Sequence, residues 1–346
     1  MNTTTTTPPA GTHEQQLTPE RIFQMLNAYQ ASAALKAAIE LDIFTAVAEG
    51  DDTTAKLAAR SGAAERGVRI LCDFLTVAGF LSKEGDAYRP APDAALFLDR
   101  RSPAYIGGVV GFLNRPFMYE AFQNLTECVR RGGTALEEQG SVTPENPIWD
   151  DFARSMTGMM GPSAEAISRV VGAAEAGPLK VLDIAAGHGL FGINIARHNP
   201  RAEIYALDWE SVLRIAEENA EAAGVAERFH KMPGSAFDLE FGEGFDLVLL
   251  TNFFHHFDRE TCVGLMRKVR AALKDEGRAV TLEFVPEEGR VSPPAAASFA
   301  LIMLGTTPSG DAYTFAEFDL MFREAGFARN EAHPSPPQTI IVSSKQ

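Results

Sequence analysis

The chain has 346 residues, long for one domain and suited to two. Hydrophobic residues make up 45% and charged residues 22%, the composition of a soluble globular protein whose core needs no covalent staples. A formal net charge of -15 disfavours a protein that tracks a phosphate backbone and favours one that acts on a small molecule.

Residues 1–16 are rich in Thr and Pro, and too polar to offset chain entropy by burial. They are expected to form a disordered tail. They carry no basic segment followed by an apolar run, so no secretory signal is expected. From Thr18-Pro19-Glu20 the pattern turns helical, with Thr18 as the expected cap and Ile22, Met25, Leu26 and Tyr29 on one face. An Ala-rich helix follows over 31–40. Gly50-Asp51-Asp52-Thr53 marks a turn, and short helices are expected over 54–59 and 64–78. Residues 80–90 then suggest a β-hairpin. Three helices and a hairpin make a winged-helix arrangement. Residues 101–170 look helical and rich in Phe and Met.

Beyond 179 the pattern changes to alternating strands and helices. Strands are expected over 181–184, 203–207, 229–232, 245–250 and 278–284. Helices are expected over 191–198, 211–223, 259–273 and 315–325. Two last strands, 327–331 and 339–342, have no helix between them. This alternation indicates an α/β fold: a mostly parallel sheet covered by helices on both faces, with an antiparallel hairpin at one edge. Cys72, Cys128 and Cys262 are dispersed, and no Cys-x-x-Cys occurs, so neither a zinc ribbon nor a disulfide framework is expected. No run of apolar residues is long enough to span a bilayer. A cytoplasmic protein is expected.

The sharpest motif is Asp183-Ile184-Ala185-Ala186-Gly187-His188-Gly189, where a strand ends and glycines turn the chain into a helix. Gly187, Gly189 and Gly192 also spell GxGxxG, and Asp208 lies where a nicotinamide enzyme keeps its ribose acid. A dehydrogenase is therefore the rival reading. Three features favour a sulfonium cofactor. Asp183 would repel a pyrophosphate but attract an amino-acid ammonium group. Asp208 can accept ribose hydroxyls. Gly234-Ser235-Ala236-Phe237-Asp238 offers an acid and an aromatic ring beside an adenine.

This ordered set resembles the class I S-adenosylmethionine-dependent methyltransferases. It is most similar to the small-molecule O-methyltransferase family that includes caffeate-type plant enzymes and bacterial polyketide and carotenoid enzymes. The likeness covers roughly residues 18–345 and is strongest from Asp183 to Glu283. It implies a Rossmann-like seven-stranded methyltransferase sheet, mostly parallel with an antiparallel edge hairpin, plus an N-terminal all-helical winged-helix domain used for dimerisation. The expected divisions are a tail (1–16), a winged-helix dimerisation domain (17–100), pocket-forming helices (101–170) and a cofactor-binding catalytic domain (171–346). By this likeness Asp183, Gly187, Gly189, Asp208, Trp209, Ser235, Ala236, Phe237 and Asn252 should line the cofactor, S-adenosylmethionine.

A hydroxyl acceptor must lose its proton, a task suited to histidine. The family's catalytic histidine matches His255 in Asn252-Phe253-Phe254-His255-His256-Phe257-Asp258. The family usually has Asp then Trp next; here His256 and Phe257 stand there. Glu283 matches the acid that orients this histidine. A second family acid falls near Ala312; either Asp311 beside it substitutes, or His255 and Glu283 form a dyad alone. No metal site is expected, since adjacent histidines rarely converge on one ion. Acceptor contacts are expected from Phe112, Phe117, Phe152, Met156, Met160, Phe254, Phe299 and Met303, an apolar set suited to an aromatic or polyketide-like hydroxyl compound. Transfer to N, S or C of a small molecule is the alternative, because the fold does not fix the acceptor atom. Between residues 51 and 101 eight acids balance eight bases, so the winged helix lacks the basic face of a DNA reader. Homodimerisation through apolar helices of 18–50 is the expected use, with no nucleic-acid or membrane partner.

Overall fold

The computed structural model describes residues 17–346, so the expected tail 1–16 lies outside the described residues. The chain divides into two compact units, one ending at Ala95 and one running from Leu96 to Gln346.

The first unit contains helices Ala28–Glu40, Ile43–Ala48, Thr54–Ser61 and Glu65–Val77, followed by strands β1 (Leu81–Glu84) and β2 (Ala87–Pro90). The helix Glu65–Val77 buries Val68, Cys72 and Leu75, one per turn of its inner face. Gly62, at φ 67°, ends the helix before it, a conformation that favours glycine. β1 and β2 pair antiparallel from Leu81 opposite Pro90 to Glu84 opposite Ala87. The hairpin is fixed to the helices by buried Tyr88, whose hydroxyl donates to Asp73 at 2.8 Å. The N-terminal unit is thus helices plus a wing, the winged-helix arrangement expected. The first helix runs Glu20–Leu26 and buries none of its residues. Thr18 does not cap it; Pro19 occupies that position without a side-chain bond.

The second unit is built on seven strands: β3 (Leu179–Ile184), β4 (Ala202–Asp208), β5 (Phe229–Pro233), β6 (Phe245–Thr251), β7 (Leu273–Glu283), β8 (Arg329–Ser335) and β9 (Gln338–Ser344). Their order is β5-β4-β3-β6-β7-β9-β8. The first five are parallel, and β9 lies antiparallel between β7 and β8. The strand order reverses at β3, where β4 departs to one side and β6 to the other. A crevice at the carboxyl ends of β3, β4 and β6 is therefore the expected ligand position.

Side chains alternate along each strand and feed two separate cores. Val181, Leu247, Leu249, Val280 and Leu282 pack on one face with Ile193 and Ile195. Leu182, Ile184, Val248, Leu250 and Ala279 pack on the other with Met266, Phe318 and Phe322. Both faces being buried explains the unbroken apolar run of β6. The helix Pro294–Thr306 was not foreseen: its residues are apolar on every side, so it shows no stripe at helical spacing. No helix among the described residues is long and apolar enough to cross a membrane.

Candidate active site

Period-2 alternation decides the position of Asp183. It shares a face with Val181, under the helix Leu190–His198, and is fully buried. One carboxylate oxygen accepts the Gly192 N–H at 3.1 Å, and the other has no partner. Burial, reinforced by the charge of Asp208, pushes its pKa up to about 8. Asp183 does not open on the cavity, so the expected contact with a cofactor ammonium group is corrected. The carboxylate instead tethers the start of the helix that follows the glycine turn.

The glycines divide their work. Gly187, at φ 58°, lines the cavity and donates its N–H to Asp208 Oδ2 at 2.8 Å. Gly189 does not line it. Its φ is 73°, and a Cβ there would meet Ala216 at 3.0 Å, so it allows close packing against the helix Glu210–Ala222. At Gly192 a Cβ would lie 2.6 Å from Ile204. The third glycine of GxGxxG is thus a packing residue. A pyrophosphate would need free N–H groups at the start of the helix. Here the Leu190 N–H is taken by His188 Nδ1 at 3.1 Å and that of Gly192 by Asp183. The dinucleotide reading loses its anchor.

A cavity of about 910 Å³ opens above the strand ends. Its floor is Ala185, Ala186, Gly187 and His188 after β3, and Asp208 and Trp209 after β4. Burial pushes Asp208 up to about 6, against the opposing N–H bonds from Gly187 and Trp209. Burial also drives His188 down to about 4, which leaves it neutral. Ser235, Ala236, Phe237 and Asp238 form a wall after β5, where the Phe237 ring meets Phe253 and Phe257. Asn252 lines the cavity after β6 in a left-handed conformation, and its side-chain oxygen accepts from Gln338. The acidic residues Glu138, Asp208, Asp238 and Asp258 line the cavity, and among the described residues no lysine or arginine does. The donor set therefore fits a cofactor with net positive charge and opposes a diphosphate.

The segment after β6 forms a 3-10 turn, Phe254–His256. His255 Nδ1 meets Glu283 Oε2 at 2.5 Å, and both side chains are almost wholly buried. Glu283 Oε1 accepts the N–H groups of Phe253 and Phe254 at 2.9 and 2.8 Å. The acid thereby fixes turn and imidazole together. A carboxylate accepting from Nδ1 leaves Nε2 as the proton acceptor. Behind the turn, a Cβ at Gly310 would come within 2.2 Å of the His255 carbonyl oxygen, so only glycine fits there.

The other expected site residues disperse. Asp311 pairs with Arg290 at 3.3 Å and accepts the Ala312 N–H; it does not join His255 and Glu283. Of the expected acceptor contacts, only Phe152 lines the cavity. Phe112 packs edge-on behind it at 5.2 Å. Met156 and Met160 belong to the core, and Met303 is buried. Phe117 is half-buried away from the lining. Phe254 faces the opposite core, against Phe318 and Phe322. Phe299 stacks on Phe284 and meets the His255 ring at 4.7 Å. Helical spacing marked these residues as apolar but could not say which face meets a cavity. Unforeseen lining residues are His188, Trp149, Phe253, His256 and the segments 138–144 and 308–309. His188 was signalled by its place between two glycines; the two segments lack periodicity and gave no signal. No group of residues among those described could hold a metal ion.

Residues 152–328 match the O-methyltransferase domain, and residues 23–100 match the O-methyltransferase dimerisation domain. A candidate O-methyltransferase of known structure from Nostoc punctiforme is 48% identical, with a TM-score of 0.92 over 95% of this chain and 99% of that one. The tetracenomycin polyketide synthesis 8-O-methyltransferase of Streptomyces glaucescens is 27% identical over 94% of this chain and 97% of its own. The 3-hydroxy-5-methyl-1-naphthoate 3-O-methyltransferase of Streptomyces sahachiroi is 26% identical over 96% and 97%. The resemblance expected from the Asp183 to Glu283 motifs is borne out: the chain belongs to the O-methyltransferase family, as an S-adenosylmethionine-dependent methyltransferase with an N-terminal dimerisation domain.

Proposed function

We propose that the chain transfers the methyl group of S-adenosylmethionine to a hydroxyl of a small aromatic or polyketide-like molecule, with His255 as general base and Glu283 as its positioning acid. The observation that carries this reading is the buried 2.5 Å contact between His255 Nδ1 and Glu283 Oε2. It is supported by relatives whose names state polyketide and naphthoate acceptors. Asp208 accepts the ribose hydroxyls, Ser235, Ala236 and Phe237 flank the adenine, and Gly187, Trp209 and Asn252 complete the cofactor's surroundings. Bound S-adenosylmethionine supplies a methyl group on a sulfonium, whose leaving group departs as a neutral thioether. His255 Nε2 takes the acceptor's proton and releases it to solvent. Trp149 and Phe152 offer aromatic faces to a flat acceptor and exclude water. Holding the partners in line supplies roughly 7–11 kcal/mol of the barrier reduction. Product NMR after turnover with phenolic acceptors should place the new methyl on oxygen. Methyl found on carbon, nitrogen or sulfur would overturn the reading.

The ionisation of Asp208 sets a pH dependence. Ribose hydroxyls donate to its charged form, so the ligand binds best when the carboxylate is ionised. With a free-protein pKa of about 6, S-adenosylhomocysteine affinity should rise with pH up to about that value and level off above it. Below it, affinity should fall by up to about tenfold per pH unit. Calorimetry from pH 5 to 8 in buffers of different ionisation enthalpy checks this, and should show proton release on binding near pH 6. An affinity independent of pH, with no proton release, would count against the assignment.

Dimerisation is assigned to the first helices. On the chain by itself Ile22, Phe23, Met25 and Leu26 are 59–75% exposed, an apolar stretch that a second copy would cover. Sedimentation should give a dimer for the native chain and a monomer for Phe23→Asp/Leu26→Asp. A variant that stays dimeric would move the interface elsewhere.

A further inference from the structure

The amino-acid end of S-adenosylmethionine carries a carboxylate, the cofactor's one anionic group. Among the described residues no lysine or arginine lines the cavity, and the acids that do suit the sulfonium and the ammonium group instead. The carboxylate therefore calls for a neutral donor. Adenine beside Ser235, Ala236 and Phe237 after β5 and ribose at Asp208 after β4 leave the amino-acid end to the next strand in the sheet, β3. The N–H groups of the turn after β3 are largely taken. That of Ala186 goes to the Leu207 carbonyl at 3.1 Å and that of Gly189 to the Ala186 carbonyl at 2.8 Å. Gly187 and Leu190 donate to Asp208 and His188.

The side chain that offers a donor there is His188. It lines the cavity and is only 2% exposed. Its ring is held in place, with Nδ1 accepting the Leu190 N–H at 3.1 Å and the Phe191 ring 5.5 Å away. Burial keeps the imidazole neutral, and a neutral ring that accepts at Nδ1 carries its proton on Nε2. Nε2 has no protein partner among the described residues and is not sealed from the cavity. Polar groups so nearly buried are almost always paired, so a fixed, unpaired N–H on a ligand cavity points to the ligand.

We propose that His188 is a cofactor-binding residue whose Nε2–H donates to the carboxylate of the cofactor's amino-acid end. This inference rests on the cofactor placement proposed above, with ribose at Asp208. A single neutral donor then does what a lysine or arginine would do, without adding a positive charge beside the sulfonium.

Calorimetry tests this with S-adenosylhomocysteine and S-adenosyl-3-thiopropylamine, which keeps the ammonium group and has hydrogen in place of the carboxylate. The lining's acids favour the amine, which has net positive charge, yet the native chain should bind S-adenosylhomocysteine at least as tightly. His188→Asn keeps an acceptor for the Leu190 N–H but does not reach the Nε2 position. It should weaken S-adenosylhomocysteine by about tenfold or more, the worth of one hydrogen bond to a charged group, and leave the amine at native affinity. A native preference for the amine would mean that the carboxylate has no partner, and would overturn the inference. So would an unchanged S-adenosylhomocysteine affinity in His188→Asn, or an equal loss of both ligands, which would assign His188 to the shape of the turn. Failure of the placement looks different: Asp208→Ala would then bind both ligands with native affinity, whatever His188→Asn does to their ratio.

Discussion

His255→Ala should lower kcat on a phenolic acceptor on the order of 10²-fold or more, because a positioned general base contributes that much and the histidines that line the cavity, His188 and His256, make no bond to an acid. S-adenosylhomocysteine affinity should hardly change, since His255 is not among the residues lining the cofactor cavity. The pairing of lost kcat with intact cofactor binding is what separates a base from a structural residue. Glu283→Gln should lose nearly as much. An amide can donate to Nδ1 and so move the ring proton to Nε2, where the acceptor needs a lone pair. Steady-state kinetics with thermal melts as a folding control read both effects. A loss under about threefold in His255→Ala would remove the base assignment.

Asp208→Ala should weaken S-adenosylhomocysteine binding on the order of 10²- to 10⁴-fold, the value of two hydrogen bonds to a charged group at about 1.5–3 kcal/mol each. Part of that loss comes through the protein. The same carboxylate accepts the N–H groups of Gly187 at 2.8 Å and Trp209 at 2.7 Å, so its removal loosens the turns at the ends of both strands. Asp208→Asn keeps an acceptor for one of those N–H groups and should fall between native and Asp208→Ala. NADH should bind none of the three proteins, because the helix start that would hold its pyrophosphate is occupied by His188 and Asp183. Native-like affinity in Asp208→Ala, or NADH binding to the native chain, would contradict the arrangement.

The alternating strands and helices, the switch point after β3 and the edge hairpin were legible in the sequence because each depends on local periodicity and on glycine at a turn. So was the pairing of His255 with Glu283, which resemblance implied and the ends of adjacent strands β6 and β7 bring together. Asp183 was misread for a physical reason: a strand-end acid can face the ligand or the covering helix, and the register of β3 turns it to the helix. Gly192 shows the same limit, since GxGxxG says that glycines are needed and not what approaches them. The apolar acceptor set fared worst. Phe254 is as hydrophobic as Phe152, yet one packs in the core under Phe318 and the other faces the cavity. Which side of an irregular segment meets a cavity depends on chain crossings that no local pattern encodes.

The most direct test of the central claim uses catechol and nitrocatechol, whose hydroxyl is already ionised at neutral pH. If His255 removes the acceptor's proton, His255→Ala should be severely slowed on catechol and nearly native in kcat on nitrocatechol, which needs no base. An equal loss on both acceptors would mean that His255 holds the site together without taking the proton, and the proposed mechanism would be wrong.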